Sequence, residues 1–247
     1  MRRVFIADLL KKNITITGAD AHHLSRVMRS KIGDHIVVAD DEGKVGEYAI
    51  TGFTGDSIDL ELIDYIAENT ESPVDVTLAQ CLPKGDKLEL ITQKATELGI
   101  NTIVPLVSDN CVVRYDGKKT KAKQDKWQKI ANEAGKQCGR SRLPVVEAIT
   151  PLKDWLQDIV NQNTAVCMCY ENEEQIGIKE FLCQMTGKEI AVVIGPEGGF
   201  SLDEIEFAKS LGITSVSLGN RILRAETAAI AAMAIIQYEK GDLGGRL

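Results

Sequence analysis

Two apolar runs near the C-terminal end of the chain are each followed at once by a turn that contains glycine. The first run, 190–194, leads into Gly-Pro-Glu-Gly-Gly-Phe (195–200), and the second, 214–218, leads into Gly-Asn-Arg-Ile-Leu-Arg (219–224). Both runs are typical of buried strands, and a helical pattern follows each turn. In an open α/β sheet, ligands bind beyond the carboxyl ends of the strands. These turns therefore restrict this part of the chain to an α/β sheet and predict a ligand site there.

The residues from 74 onward alternate between strand-like and helix-like segments, whereas the residues before them do not. This alternation predicts a parallel sheet with helices on both faces. Residues 1–70 instead carry short alternating segments between Gly and Asp turns, a pattern typical of a small β-barrel or sandwich. The polar stretch 67–73 ends in proline and is the predicted boundary. We therefore predict an α/β protein with two domains, 1–70 and 73–247.

The periodicity of apolar residues also predicts where individual elements lie. In the first domain we expect strands at 14–17, 36–39, 46–50 and 57–62 and a helix at 19–28. In the second we expect strands at 74–82, 102–107, 164–169, 189–194 and 214–218 and near Val145. We expect helices at 86–98, 124–138 and 228–237, with others near Pro151, Glu174 and Ser201. The helix at 228–237 is apolar nearly all round, so either the core or a subunit interface should bury it on all sides.

Composition excludes several classes of protein. With 247 residues, 44% hydrophobic and 26% charged, the chain is ordinary for a globular protein. No apolar stretch is long enough to span a membrane, and the N-terminal apolar segment is too short for a secretory signal. The six cysteines include no Cys-x-x-Cys pair and the three histidines all lie within the first 35 residues, so we predict no metal site. Free thiols indicate a cytoplasmic protein.

The net charge of −7 conceals two basic segments. Residues 111–143 contain ten Lys or Arg against three Asp or Glu, and residues 1–31 contain seven against two. Residues 40–75 reverse this balance, with one lysine against eleven acidic residues. Because phosphate binding depends on the local face and not on the net charge, two basic segments make a nucleic-acid partner about as plausible as a solvated surface without one.

The two glycine turns differ in how specific their chemistry is. Turn 195–200 lacks the lysine and the hydroxyl residue of a phosphate-binding P-loop, and its glycines do not have the dinucleotide-binding spacing. They permit close approach of a ligand to the backbone, although a tight turn without a ligand explains them equally well. In turn 219–224, Ile222 and Leu223 are apolar where a loop is normally polar, and an arginine stands on either side of them. A flat apolar ligand would fit on this pair.

Two further segments carry local signals. Ser201 and Glu204 have the spacing of a capping box, which predicts that a helix begins directly after the first turn. A basic helix is expected to end at Gly139, with Arg140 and Arg142 just beyond it. Cations at a helix C-terminus are favourable in any protein, so these arginines by themselves do not establish a site.

Together these motifs resemble those of a known family. The segments 195–199 and 218–227 are similar to the late motifs of the SPOUT methyltransferases. Three further segments make the resemblance more specific: Lys-Gly-Asp-Lys (84–87), Gln-Lys-Ala-Thr-Glu-Leu-Gly (93–99) and Gln-Cys-Gly-Arg (137–140). They are similar to those of the bacterial enzymes that methylate N3 of a uridine in 16S ribosomal RNA of the small subunit. The resemblance covers nearly the whole chain, because the N-terminal segment also resembles that family's PUA-like RNA-binding domain.

The resemblance implies a fold, a cofactor and an assembly state. The family's sheet has a trefoil knot near its C-terminal end, an exception to the rule that chains are unknotted. Its cofactor is S-adenosyl-L-methionine, which lies in the knot, and its members are homodimers that complete each site across the interface. Carried over to this sequence, the cofactor would contact ten residues: Ile194, Gly195, Pro196, Glu197, Gly198, Gly199, Leu218, Gly219, Ile222 and Leu223.

The reaction implied by the resemblance indicates which side chains act. Uracil N3 must lose its proton to become a nucleophile, and it lies on the Watson–Crick edge, so the base must be unpaired or flipped out. Negative charge then spreads to the uracil oxygens, and arginine suits their stabilisation. The candidates are Arg140 and Arg224. Glu197 or Glu226 could accept the proton or could order the loop, and we favour the structural role for Glu226.

The basic segments supply the candidates for contact with 16S ribosomal RNA. These are Arg2, Arg3, Arg26, Arg29, Lys84, Arg114 and Arg142. Two alternatives stay open: methylation of a ribose 2′-hydroxyl, which SPOUT proteins perform with similar loops, and a non-catalytic RNA-binding factor of ribosome assembly. The PUA-like segment and residues 137–140 favour the base over the ribose. The expected partners are the small ribosomal subunit and a second copy of this chain, without a membrane.

Overall fold

The computed structural model describes residues 3–67, 70–162 and 164–245 of the chain. The chain divides into two units. Unit 1 consists of Met1–Glu71 and Gly135–Leu143, and unit 2 consists of Ser72–Ala134 and Pro144–Leu247. The second segment of unit 1 is therefore separated from the first by a long insertion that belongs to unit 2.

Unit 1 is built on a five-stranded sheet. Its strands are β1 (Arg3–Phe5), β2 (Asn13–Ile16), β3 (His35–Ala39), β4 (Val45–Thr54) and β5 (Ser57–Ile66). They lie in the order β1-β3-β4-β5-β2, and every pairing is antiparallel except that of β1 with β3. Inward-facing side chains such as Tyr48 and Leu60 form its core. The strands expected in this part of the chain are confirmed, and β4 and β5 are longer than predicted.

The helical segment of unit 1 differs from the single helix expected at 19–28. An α-helix, α1 (Gly18–His22), continues as a π-helical turn, His23–Val27. The amide of Met28 donates to the carbonyl of His23 at 3.0 Å, five residues back, which is the wider spacing of a π-helix. Arg29 follows with a φ of 55° and is the one non-glycine residue with positive φ in the described ranges.

Polar contacts hold the segment Gly135–Leu143 within unit 1. Lys136 Nζ lies 2.7 Å from Asp20 Oδ1, and Thr70 Oγ1 donates to the carbonyl of Gly139 at 2.9 Å. Gly139 has a φ of 78° and ends the preceding helix, as the sequence predicts.

Unit 2 contains a seven-stranded sheet in which all pairings are parallel. Its strands are β6 (Asp75–Cys81), β7 (Thr102–Val107), β8 (Val145–Val146), β9 (Thr150–Pro151), β10 (Ala165–Cys169), β11 (Glu189–Ile194) and β12 (Thr214–Val216). The main order is β12-β10-β11-β6-β7-β8, and β9 also pairs with β7. The predicted parallel α/β sheet is confirmed. The trefoil knot implied by the resemblance stays a prediction.

Six helices accompany this sheet along the chain. They are α2 (Lys87–Glu97), α3 (Gly117–Cys138), α4 (Leu152–Ile159), α5 (Ile178–Gln184), α6 (Leu202–Ser210) and α7 (Ala225–Glu239). The capping box of Ser201 and Glu204 is present at the start of α6, as predicted. Within the ranges that the structure describes, no helix combines the length and the hydropathy needed to cross a membrane.

Three helices begin at other positions than the sequence predicts, and one of them, α7, begins at Ala225 instead of 228. α3 begins at Gly117 instead of 124. Its first turns are rich in lysine, a good helix former that contributes nothing to apolar periodicity. The helix expected near Glu174 begins only at Ile178. The carboxylate of Glu173 accepts the amides of Gln175 and Ile176 at 2.8 and 3.3 Å and holds this stretch as a turn instead.

Helix α7 buries one face and not all sides within a single chain. Ala229, Ala232 and Met233 are almost completely buried against the core, whereas Ala231 and Ile235 are only half-buried. The sequence predicted complete burial from the apolar composition. The apolar face that includes Ala231 and Ile235 is therefore only partly covered within the single chain.

Candidate active site

A cavity of about 1020 Å³ lies at the carboxyl ends of β10, β11 and β12 in unit 2. Both glycine turns contribute to it, because β11 and β12 each lie beside β10 in the sheet. All ten residues expected to hold the cofactor line this cavity: Ile194, Gly195, Pro196, Glu197, Gly198, Gly199, Leu218, Gly219, Ile222 and Leu223. The structure thus brings together two segments, 194–199 and 218–223, that are separate in the sequence.

Residues of the loop after β7 form hydrogen bonds that hold the first turn in place. Asn110 Nδ2 donates to the carbonyls of Gly198 and Gly199 at 3.1 and 3.2 Å. The buried carboxylate of Glu204 accepts the amide of Asp109 at 2.8 Å, in addition to its bond within the capping box. The amide of Gly199 donates to the carbonyl of Pro196 at 3.0 Å, closing the turn. The turn is therefore held in one conformation by the capping-box residue Glu204 and by Asn110, which carried no signal in the sequence.

At two glycines of this turn, neighbouring side chains occupy the space that a Cβ atom would need. A Cβ built on Gly195 would meet the ring of Phe200 at 3.2 Å. Gly199 has a φ of 66°, and a Cβ there would overlap the carboxylate of Glu171. Neither position therefore accepts a side chain unless Phe200 or Glu171 moves, and both glycines lie in the cavity wall.

The second turn exposes an apolar pair to the cavity. Gly219 has a φ of 115°, a conformation that residues with a side chain rarely adopt. Ile222 is 86% exposed, although it is a large apolar residue. Arg224 is exposed, and it forms no ion pair within residues 3–67, 70–162 and 164–245. An exposed apolar surface beside an arginine without an ionic partner suits a ligand that has both a flat ring and negative charge.

Lys87, the first residue of α2, links the two turns. Its Nζ lies 2.7 Å from Oε1 of Glu197 in the first turn and 3.3 Å from Oε2 of Glu226, which follows the second turn. The backbone amide of Lys84 also donates to Glu197, at 3.1 Å. Burial alone would raise the pKa of Glu197, but the hydrogen bonds from Lys87 and the backbone outweigh it and hold that pKa below its usual range. The hydrogen bond to Glu197 raises the pKa of Lys87.

The remaining wall of the cavity comes from the residues after β10. They include Tyr170, Glu171 and Glu174, of which both glutamates are exposed. The sequence did indicate the strand, but not that it lies between β11 and β12, so its acidic end was missed. In the described part of the chain, no group of three His, Cys, Asp or Glu side chains is arranged to hold a metal ion.

Arg140 does not line this cavity and lies in unit 1. Its Nε donates to Oε2 of Glu71 at 2.8 Å, and the residue is only 4% exposed. The amides of Ser141 and Arg142 donate to the other oxygen of Glu71 at 2.7 and 3.1 Å. Of the three catalytic candidates, the structure therefore brings Arg224 and Glu197 to the cavity and engages Arg140 in a buried ion pair.

The candidates for RNA contact are distributed over both units. In unit 1, Arg26 and Arg29 are exposed, Arg3 donates to the carbonyl of Gly139, and Arg142 donates from Nη2 to the carbonyl of Glu42 at 2.7 Å. In unit 2, Lys84 and Arg114 are exposed. Arg2 lies outside the described residues. Arg26 and Arg29 are thus the pair in unit 1 that is most clearly available to a partner.

Family models match both parts of the chain. The model described as an RNA methyltransferase domain matches residues 70–237, and that described as an RNA methyltransferase PUA domain matches residues 16–63. The first match includes every residue that lines the cavity.

Full-length relatives carry one shared name. Ribosomal RNA small subunit methyltransferase E of Bacillus subtilis is 35% identical, over 99% of this chain and 99% of its own length. The protein of the same name from Synechocystis is 33% identical, over 92% of this chain and 74% of its own length.

Solved structures agree with this relationship. Ribosomal RNA small subunit methyltransferase E from Neisseria gonorrhoeae, bound to S-adenosyl methionine, superposes with a TM-score of 0.87 at 29% identity, covering 98% of this chain and 99% of that one. A methyltransferase from Legionella pneumophila in complex with the bound cofactor SAM gives a TM-score of 0.84 at 27% identity, covering 98% of each chain. Since relatives of one name match almost the entire chain in both sequence and fold, the chain belongs to the ribosomal RNA small subunit methyltransferase E family.

Proposed function

We propose that this chain transfers a methyl group from S-adenosyl-L-methionine to N3 of a uridine in 16S ribosomal RNA of the small ribosomal subunit. The observation that carries the proposal is the convergence of both turns on one cavity, with all ten expected cofactor residues in its wall. The relative crystallised with S-adenosyl methionine supports the choice of cofactor. Its name supports the choice of ribosomal RNA as the substrate.

The residues in the cavity suit this cofactor. It carries no phosphate, so a site without a P-loop lysine is expected. The backbone of Gly195 lies in the cavity wall, where the cofactor can approach it, and Ile222 and Leu223 offer an apolar surface for the adenine ring. The carboxylate of Glu171 gives the wall negative charge opposite the positive charges of the cofactor.

The chain's own residues must hold the uracil and its developing charge. S-adenosyl-L-methionine supplies, when bound, an electrophilic methyl carbon on a sulfonium centre. Arg224 stands in the cavity wall at the start of α7, which fixes its backbone. Its guanidinium donates to a uracil oxygen and stabilises the negative charge that spreads over the ring when N3 gives up its proton to solvent. Arg224 is therefore the residue to which we assign charge stabilisation.

Glu197 and Arg140 are weaker candidates for direct roles. Lys87 and the amide of Lys84 already donate to the carboxylate of Glu197, and a base with a lowered pKa takes up a proton less readily. We therefore propose that Glu197 orders its turn. We propose Arg140 as a second hydrogen-bond donor to the uracil, contributed to each site by the second copy of the chain. This role requires its guanidinium to exchange Glu71 for the uracil.

The N-terminal domain, 1–70, is proposed to bind the RNA, and 73–247 to carry out methyl transfer. The match of residues 16–63 to an RNA methyltransferase PUA domain supports this division. Arg26 and Arg29 are the proposed phosphate contacts in that domain, together with Arg2 and Arg3 at its start and Arg142 after the basic helix. Lys84 and Arg114 are proposed to extend the contact in the second domain.

A homodimer is proposed as the working form. The half-buried apolar face of α7, which includes Ala231 and Ile235, supports it, because a single chain leaves that face incompletely covered. Proteins of this family act on ribosomal RNA, so we propose that the chain works in the cytoplasm. The ribose 2′-hydroxyl and non-catalytic alternatives are not favoured by the family to which the chain belongs.

Two measurements test the proposed function. Calorimetric titration of the chain with S-adenosyl-L-methionine should show saturable binding. If the titration detects no binding, the proposed function is contradicted. Mapping of modified nucleotides in 16S ribosomal RNA from cells with and without the gene should reveal one uridine whose N3 methyl group is lost. Loss of a ribose methyl group instead would transfer the activity to the sugar.

A further inference from the structure

The last residue of the segment Lys-Gly-Asp-Lys (84–87) takes no direct part in the methyl transfer proposed above, yet it reaches into the cavity. Lys87 lines the cavity and is the first residue of α2. A positive charge in the first turn of a helix opposes the helix dipole, so the stability of α2 does not account for it. Something outside the helix must stabilise this ammonium group.

Two carboxylates do so, one from the first cofactor turn and one from the start of α7, directly after the second turn. Nζ of Lys87 lies 2.7 Å from Oε1 of Glu197 and 3.3 Å from Oε2 of Glu226. The three side chains are partly withdrawn from solvent, with 31% of Lys87, 27% of Glu197 and 17% of Glu226 exposed. Oε2 of Glu226 is buried and has no hydrogen bond within the described part of the chain, which leaves Lys87 as its charge partner.

The arrangement makes the spacing of the two turns depend on one cation. Glu197 belongs to the turn after β11, and Glu226 lies at the start of α7, directly after the other turn. Without Lys87, two carboxylates of like charge would face each other in a partly desolvated space and repel. When Lys87 is present, both carboxylates are attracted to its ammonium group.

We infer that Lys87 is a positioning residue, which holds the two cofactor-binding turns at their working separation by pairing with Glu197 and Glu226. The inference rests on the proposed function, because it assumes that these turns hold the cofactor. It assigns no contact between Lys87 and the cofactor itself. Lys87 therefore acts on cofactor affinity only through the two glutamates.

The test compares four variants by calorimetric titration of the full chain with S-adenosyl-L-methionine. Lys87→Met should raise the Kd by roughly tenfold or more, the usual size of coupling between linked sites. Lys87→Arg should recover most of the affinity, because it keeps the charge. Lys94→Met is the matched control. Lys94 is on the same helix and is paired with Glu97 at 2.9 Å, but it does not line the cavity, so its Kd should equal that of the wild type.

The fourth variant separates positioning from direct contact. Lys87→Met combined with Glu226→Gln removes the like-charge repulsion, so its Kd should be lower than that of Lys87→Met alone. If Lys87 instead binds the carboxylate of the cofactor, the second substitution will give no recovery. Should Lys87→Met fail to fold, Glu226→Gln in the otherwise unchanged chain provides the test. It removes one of the two pairs and should also weaken binding.

The possible failures are distinguishable. A wild-type chain that does not bind S-adenosyl-L-methionine contradicts the proposed function. A wild-type chain that binds, with a Lys87→Met variant of equal affinity, leaves the proposed function intact and overturns the role of Lys87.

Discussion

Arg140 donates from Nε to Oε2 of Glu71 at 2.8 Å, and this guanidinium is almost completely buried. The amides of Ser141 and Arg142 occupy the other oxygen of the same carboxylate. Burial by itself would raise the pKa of Glu71, but the hydrogen bond and charge of Arg140 outweigh it and lower that pKa. The pair anchors the segment Gly135–Leu143 within unit 1.

Removal of Arg140 should therefore destabilise the protein. Arg140→Ala leaves the Glu71 carboxylate buried without its partner, a change that typically costs about 3–5 kcal/mol. Denaturant unfolding followed by circular dichroism measures this loss. Glu71→Gln is the matched control, because it weakens the same pair and keeps Arg140. If Arg140→Ala abolishes methylation and leaves the free energy of unfolding unchanged, the arginine serves catalysis and not the anchor.

The same pair should make stability depend on pH in acid. The folded pKa of Glu71 is lowered, so its contribution is present above the unfolded pKa and is lost as the pH falls through the folded pKa. The difference in unfolding free energy between the wild type and Glu71→Gln should shrink as the pH is lowered from about 6 to about 3. A difference that stays constant over this range would show that folding does not lower the pKa of Glu71.

Gly219→Val should abolish cofactor binding and leave the fold intact. The φ of 115° at Gly219 is unfavourable for valine, so the second turn must change its path at the cavity wall. Gly212→Val is the matched control, since Gly212 also has a positive φ of 78° and open space around it, but does not line the cavity. Both variants should lose similar stability in thermal melts. Only the first should fail to bind in calorimetry.

Arg29→Gly should weaken RNA binding without loss of stability. Arg29 has a φ of 55°, and the left-handed conformation costs a non-glycine residue about 1–2 kcal/mol. Glycine removes that strain together with the guanidinium. The logarithmic salt dependence of RNA affinity should fall by roughly one unit for the lost phosphate contact. Lys12→Ala removes an exposed charge of the same unit that is paired with Glu61, and its salt dependence should not change. An unchanged slope for Arg29→Gly would exclude this residue from the RNA-binding surface.

Two neighbouring alanines in α7 should respond differently to glutamate. Ala231 is half-buried, so Ala231→Glu should prevent dimer formation and leave a folded monomer. Ala232 is 0% exposed within the single chain, so Ala232→Glu should unfold the protein. Molar mass measured by light scattering distinguishes the two outcomes. A folded Ala231→Glu dimer would place the subunit interface elsewhere.

The elements predicted most accurately are those that the local amino-acid sequence determines. β7 and β11 have the bounds expected from their apolar runs, since central parallel strands are buried on both faces and read as continuous apolar segments. The capping box at Ser201 was equally clear, because both of its partners lie within three residues. The lysine-rich start of α3 was missed because an exposed helical turn leaves no apolar pattern.

The sequence by itself determined the alternation of strands and helices, the two glycine turns with their bare backbone and apolar pair, and hence the family. These features depend on local conformational preference and on the burial of side chains at fixed spacing. Only the tertiary structure decided which strand ends are neighbours, and so it brought the acidic residues after β10 and the ammonium of Lys87 to the cavity. It also withdrew Arg140 into a pair with Glu71, sixty-nine residues away. Contacts at such separations follow from strand order and packing, which no local pattern encodes.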